Sequence, residues 1–211
     1  MIKIYGAQLS NYYCMVKTAL AEKNIAFEEV AAPPSQEADY LAKSPMGKIP
    51  FIETSSGFLS ESRAILDYLE DTQPKPALLP ADPFARAKVR ELAQALELYI
   101  ELVARRGIFV LFGRTVSDDV KASIKADLPR GIAAIKRLAK FSPWIAGKDF
   151  TYADLVGYWT FALGNLSATQ NAGIDLFAEI PGAKAWFDKV GARASIKKAL
   201  ADQEAARQAR R

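Results

Sequence analysis

The sequence predicts an α+β domain of order βαβαββα followed by an all-α helical bundle. Three observations predict this. Strand-like and helix-like segments alternate through residues 2–71. Four of the eleven prolines then crowd into QPKPALLPADP, residues 73–83. Beyond them the strand pattern disappears, and apolar residues recur only at helical spacing.

Each element has its own reason. Ile2 and Ile4, flanked by Lys3 and Tyr5, form a short strand. Val16, Ala19, Leu20 and Lys23 recur at helical spacing, which predicts a helix over 12–23 that ends at Asn24. IAFEEV, residues 25–30, alternates enough for a second strand, and a short helix is expected near 36–43. IPFIET and FLSES, joined by the Ser55-Ser56-Gly57 turn, form a hairpin. SRAILDYLED, residues 62–71, is a helix with Ile65, Leu66 and Leu69 on one side. After the proline-rich stretch, Val89, Leu92, Ala93, Leu96, Ile100 and Val103 mark a long helix. Val120, Ile124, Leu128, Ile132 and Ile135 mark another, which Pro129 is expected to kink. Trp159 to Leu166 and Trp186 to Val190 mark two more. The expected organisation is a small domain at 1–73, a linker at 74–83 and a helical domain at 84–211.

Bulk composition is that of an ordinary globular chain: half hydrophobic and a quarter charged in 211 residues. The net charge is +4, and much of the surplus lies in the terminal ARQARR. No aromatic-interleaved basic patch accompanies it, so no nucleic-acid partner is expected. No apolar stretch approaches a membrane span, and the opening MIKIYGAQLS lacks a signal-peptide pattern. Cys14 is the only cysteine, which excludes an internal disulfide and fits a reducing, cytoplasmic setting. The chain has no histidine, which excludes histidine triads, histidine general bases and histidine metal ligands. No metal is expected.

Four stretches have a clear physical character. SPMGKIPFIE (44–53) places Pro50 at the front of a strand, where it cannot donate to a sheet ladder. SESRAILDYLED (60–71) starts a helix with Ser62 directly after Glu61, and a helix N-terminus attracts anions. PWIAGKDFTYADL (143–155) holds Thr151 and, three residues later, Asp154, a capping box with Asp in the usual Glu place. Phe150 and Leu155 occupy the hydrophobic-staple positions, and such a cap contributes ~1 kcal/mol. IPGAKAWFDKV (180–190) is the fourth. In this order and spacing they make the chain resemble a cytosolic-type glutathione transferase over nearly its full length. The likeness is to bacterial, serine-type members, with no subclass assigned.

The resemblance implies a thioredoxin-like first domain, glutathione as co-substrate and a homodimer. Each homodimer subunit sets its small domain against its partner's large one. It implies that Glu61 and Ser62 hold the γ-glutamyl end of glutathione. Ile49 offers backbone groups to the cysteinyl unit in the manner of an added strand. Pro50, in a cis bond to Ile49, turns those groups toward the ligand. Lys48 is a candidate for the glycyl carboxylate. Ser10, between the first strand and first helix, aligns with the hydroxyl that stabilises the thiolate in serine-type members. Tyr5, Tyr12 and Tyr13 are alternative donors. Tyr99, Arg105 and Arg106 on the long helix are candidates for the electrophile side. The implied activity is conjugation of glutathione to small apolar electrophiles in detoxification, with glutathione-dependent peroxide reduction beside it. Two other readings remain at this point: a non-catalytic binding or regulatory protein of the same fold, and a thiol reductase working through Cys14.

Overall fold

The computed structural model describes residues 1–209; the two arginines that end the expected basic tail lie outside the described residues. The chain forms two compact units, Met1–Leu78 with Ala192–Arg211, and Leu79–Gly191. The sequence expectation put all of 84–211 in one helical domain. Of that stretch, the part from Ala192 groups with the first unit, and its Arg193, Asp202 and Gln203 hydrogen-bond to the first helix.

In the first unit, β1 (Ile2–Gly6), β2 (Phe27–Ala31), β3 (Phe51–Thr54) and β4 (Gly57–Ser60) form one mixed sheet of order β2-β1-β3-β4. β1 runs parallel to β2 and antiparallel to β3, and β3 is antiparallel to β4. This is a thioredoxin-like sheet, with the expected βαβαββα order once α1 (Asn11–Glu22), α2 (Ala38–Leu41) and α3 (Ser62–Thr72) are included. Strand alternation gives the sheet two faces. Ile4 and Ile52 are opposite each other and fully buried. α1 and α3 pack together and contact β1 and β3, burying Val16, Leu20, Ile65 and Leu69. On the other face Tyr5 stacks on Phe51 at 4.6 Å, with Phe58 and Tyr40 edge-on to Phe51.

Lys23 follows the last turn of α1, and its place in the apolar stripe has a reason. Its ammonium is buried and pairs with Glu70 of α3 at 2.6 Å. It also donates to the Pro76 carbonyl at 2.9 Å, and the same Glu70 oxygen accepts the Leu78 N–H at 3.0 Å. The proline-rich stretch is thereby anchored, and Leu78 is buried. α10 (Ala194–Gln208) closes this unit against α1. Arg193 forks onto Glu22 at 2.8 and 2.5 Å, and Ser195 donates to Glu22 at 2.5 Å.

The second unit is helical. α4 (Pro83–Leu96) starts with Asp82 accepting the Ala85 N–H at 2.8 Å, and with proline at the first turn, where its missing N–H costs nothing. The expected long helix passes through a π-helical turn, Glu97–Glu101, into α5 (Leu102–Arg105). A 3₁₀ turn, Ile108–Phe112, follows. α6 (Asp118–Leu138) continues through Pro129. Its Gly131 lies where a Cβ would come within 2.2 Å of the Tyr99 carbonyl, so no larger residue fits beside the π turn. α7 (Tyr152–Ala172), α8 (Leu176–Glu179) and α9 (Ala183–Gly191) complete the unit.

Asp154 is more than a cap. Its buried carboxylate accepts the Thr151 N–H, the Ile145 N–H and the Trp186 indole N–H, each at 2.8 Å. The Thr151 hydroxyl adds a fourth contact at 3.3 Å. The box therefore ties α7 to the loop before it and to α9.

Candidate active site

Sheet register gathers the predicted site. Tyr5 of β1 faces Phe51 of β3, and Phe51 faces Ser60 of β4. The segments after β1 (Ala7–Ser10), before β3 (Gly47–Pro50) and after β4 (Glu61–Ser62) therefore leave one end of the sheet. No local sequence signal ties these three segments together; the antiparallel pairings of β3 do.

Ser10 is the N-cap of α1, and its Oγ accepts the Tyr13 N–H at 3.3 Å. Its hydroxyl hydrogen has no acceptor among the described residues. The rival hydroxyls differ. Tyr5 donates to the Glu53 carboxylate at 2.5 Å, which pushes its pKa up to about 12. Tyr13 is buried and donates to Glu29 at 2.7 Å; burial first, then that bond, push its pKa upward. Tyr12 lies half-buried in the first turn of α1. Cys14 is fully buried, and burial pushes its thiol up to about 12. It donates to the Gln8 carbonyl at 3.1 Å. A thiol in that state is a poor nucleophile.

The loop before β3 is built around Gly47, whose φ of +64° and surroundings both require glycine. A Cβ there would lie 2.2 Å from the Ser35 carbonyl. Ser44 donates to the Lys48 carbonyl at 2.8 Å. The Ile49–Pro50 bond is cis. The backbone N–H and C=O of Ile49 make no hydrogen bond among the described residues. The Lys48 side chain is exposed, with no ion pair among them.

Glu61 sits at the N-cap of α3 with φ +68° and ψ 111°, a conformation that non-glycine residues seldom adopt. Such a residue persists only where its surroundings hold it there. Its carboxylate is exposed and caps no N–H. Ser62 opens the helix, is buried, and makes no side-chain hydrogen bond among the described residues. An acid, a hydroxyl and a helix N-terminus stand together here, a set suited to an amino acid's ammonium and carboxylate.

Of the electrophile candidates, Tyr99 is exposed, whereas Arg105 pairs with Glu101 and Arg106 with Asp127 at 2.6 Å. Among the described residues no group of three or more acidic, cysteine or histidine side chains could hold a metal, and no helix is long and apolar enough to cross a membrane.

Residues 4–77 match the family model for the glutathione S-transferase N-terminal domain, and residues 109–203 match that for its C-terminal domain. A glutathione S-transferase of Pseudomonas putida is 46% identical over 206 residues, covering 97% of this chain and 94% of that protein. The chain belongs to the glutathione S-transferase family. A maleylacetoacetate isomerase of Pseudomonas aeruginosa is 27% identical, over 84% of this chain and 85% of its own. Among solved structures, a glutathione S-transferase from Rhodospirillum rubrum is 26% identical, with a TM-score of 0.77 over 95% of this chain and 92% of its own. This glutathione S-transferase is an enzyme of a family that uses glutathione as co-substrate, and its two-part fold is that family's.

Sequence reasoning named Tyr13 but missed Gln8, Glu29 and Lys17 around it. Gln8, Tyr13 and Glu29 line a cleft of about 510 Å³, together with Gly6, Ala7 and Ala31–Pro33. Lys17, buried on α1, reaches both Gln8 and Glu29. The one available signal was a lysine between Val16 and Thr18, in the middle of the helix.

Proposed function

We propose that this transferase binds glutathione along one end of its sheet and conjugates it to small apolar electrophiles. Glu61, Ser62 and the α3 N-terminus receive the γ-glutamyl ammonium and carboxylate. The open backbone groups of Ile49 pair with the cysteinyl unit as an added strand would. Lys48 attracts the glycyl carboxylate. The Ser10 hydroxyl donates to the sulfur and stabilises the thiolate as the thiol proton passes to solvent. The sulfur lone pair then forms a bond to the electrophilic carbon, whose leaving group departs with its own electron pair. The same thiolate can attack the terminal oxygen of an organic hydroperoxide, breaking the O–O bond and releasing alcohol with glutathione sulfenic acid; the thiolate of a second glutathione then attacks the sulfenic sulfur and expels hydroxide, giving water and glutathione disulfide. A homodimer and a cytoplasmic, detoxifying role belong to this reading.

One observation carries the assignment of the donor. Ser10 has an uncommitted hydroxyl hydrogen, whereas the hydroxyls of Tyr5 and Tyr13 are given to carboxylates. The test is a pH profile of kcat/KM with a chromogenic aryl halide. A hydrogen bond to a charged acceptor contributes ~1.5 to 3 kcal/mol, so Ser10→Ala should raise the midpoint by roughly one to two pH units. Tyr5→Phe should leave it in place; the opposite pattern transfers the role to Tyr5. Calorimetry should show Ser62→Ala weakening glutathione binding by ~1 to 3 kcal/mol. No binding by the unaltered protein would overturn the whole reading.

A further inference from the structure

The turn that carries Ser10 is held from three sides. Within it, the Ser10 N–H donates to the Ala7 carbonyl at 2.9 Å. Gln8, inside the same turn, is fixed at both ends of its side-chain amide. Its Nε2 donates to Glu29 at 2.5 Å, and its Oε1 accepts from the Lys17 ammonium at 3.0 Å. Its backbone carbonyl accepts the Cys14 S–H at 3.1 Å. The clamp thus draws Cys14 and Lys17 from α1 and Glu29 from β2.

α10 supplies the third side. Lys17 donates to Asp202 at 2.7 Å as well as to Glu29 at 2.8 Å, and the Gln203 amide donates to the Cys14 sulfur at 3.3 Å. Lys198 pairs with the other oxygen of Asp202. Tyr13 shares Glu29 with Lys17 and Gln8. Lys17 is nearly fully buried, with Asp202 and Glu29 partly exposed. A lysine costs most to bury when unpaired, so the two carboxylates and the Gln8 oxygen fix its position. Once placed, it has one direction left for each neighbour.

We infer that Gln8 is a positioning residue for the Ser10 hydroxyl, held by Lys17 and Glu29, and that α10 acts on thiol activation through Asp202. The inference rests on the reading that Ser10 is the thiolate donor. A hydrogen bond to sulfur depends steeply on angle and distance. A turn released at Gln8 lets the Ser10 hydroxyl wander while the γ-glutamyl and cysteinyl contacts, on other segments, stay in place.

The experiment uses the full chain and four variants: Gln8→Leu, Asp202→Asn, Ser10→Ala and the double variant Ser10→Ala/Gln8→Leu. Each is read by the pH profile of kcat/KM, the KM for glutathione, and the ultraviolet absorbance of bound thiolate. Gln8→Leu should raise the midpoint by about half to one unit, a roughly three- to tenfold loss of thiolate below the midpoint, with KM changed less than about twofold. Asp202→Asn should move it the same way by less, and decides the matter should Gln8→Leu fail to fold. On the Ser10→Ala background, Gln8→Leu should add nothing. An unmoved profile in the single Gln8 and Asp202 variants, or an equal shift with and without Ser10, overturns the inference while leaving the Ser10 reading intact. An unmoved profile in Ser10→Ala itself overturns both.

Discussion

Replacing Glu70 by glutamine tests how much the first unit depends on a buried charge. The swap keeps the shape and removes the negative charge. Lys23, whose side chain is 1% exposed, then has the Pro76 carbonyl and a neutral amide where a carboxylate stood 2.6 Å away. Breaking a buried pair from one side costs roughly 3 to 5 kcal/mol, since the remaining charge stays desolvated. The Leu78 N–H, 3.0 Å from the same oxygen, keeps an acceptor only if the amide oxygen faces it. For a chain of this size ~1 kcal/mol corresponds to about 2 to 4 °C, so the loss is roughly 6 to 20 °C in Tm. The assay is urea and thermal unfolding followed by far-ultraviolet circular dichroism, with Lys23→Met/Glu70→Leu as the control. The double variant removes both charges and should recover part of the loss, the stranded Leu78 N–H retaining about 1 to 3 kcal/mol of it. A single variant within ~1 kcal/mol of the unaltered protein, or a double variant as unstable as the single, would refute the desolvation argument.

Three further outcomes follow from the same structure. Asp154→Ala strands the Trp186, Ile145 and Thr151 donors together; at ~1 to 3 kcal/mol per buried group it should cost at least about 3 kcal/mol by urea unfolding. Cys14→Ala should keep conjugating activity, because the thiol is buried and protonated; abolished turnover would restore the thiol-reductase reading. Glu29 titrates low in the folded state: burial pushes its pKa up, but hydrogen bonds from Lys17, Tyr13 and Gln8 outweigh this. A carboxyl depressed on folding stabilises above its unfolded value of about 4.3 and loses that contribution as pH falls through its folded value. Stability measured from neutral pH into the acid range should therefore drop less steeply in Glu29→Gln than in the unaltered chain.

Much of the first unit was legible because its signals are local. Alternation at Ile2 and Ile4, the Ser55–Gly57 turn and the one-sided Ile65, Leu66 and Leu69 each fix an element without distant help. The helix start at Ser62 and the cis Ile49–Pro50 bond were legible through motifs that also lie in short stretches. What escaped depends on pairing across the chain. That the Tyr5 hydroxyl is spent on Glu53 follows from Lys3 standing opposite Glu53 in the β1–β3 register. The interruption at Glu97–Glu101 packs closely against Gly131 on another helix, and nothing in ELYIE announces it. Lys23 did leave a trace, as a charged residue at an apolar position. Its meaning needed Glu70, 47 residues on. The grouping of α10 with the first unit left no trace at all, since 185 residues separate Lys17 from Asp202.

That grouping makes the order of synthesis matter. A growing chain emerges with its first helix early, yet the acid that meets Lys17 from α10 and the amide that meets Cys14 are translated 185 and 189 residues after those partners. Until Asp202 and Gln203 leave the ribosome, that side of the helix faces water. The second unit, contiguous from Leu79 to Gly191, has all its residues available sooner. A chain stopped short of α10 would present the Ser10 turn without one of its three supports and would leave the buried Ile196 and Ala199 contacts of the first unit unmade.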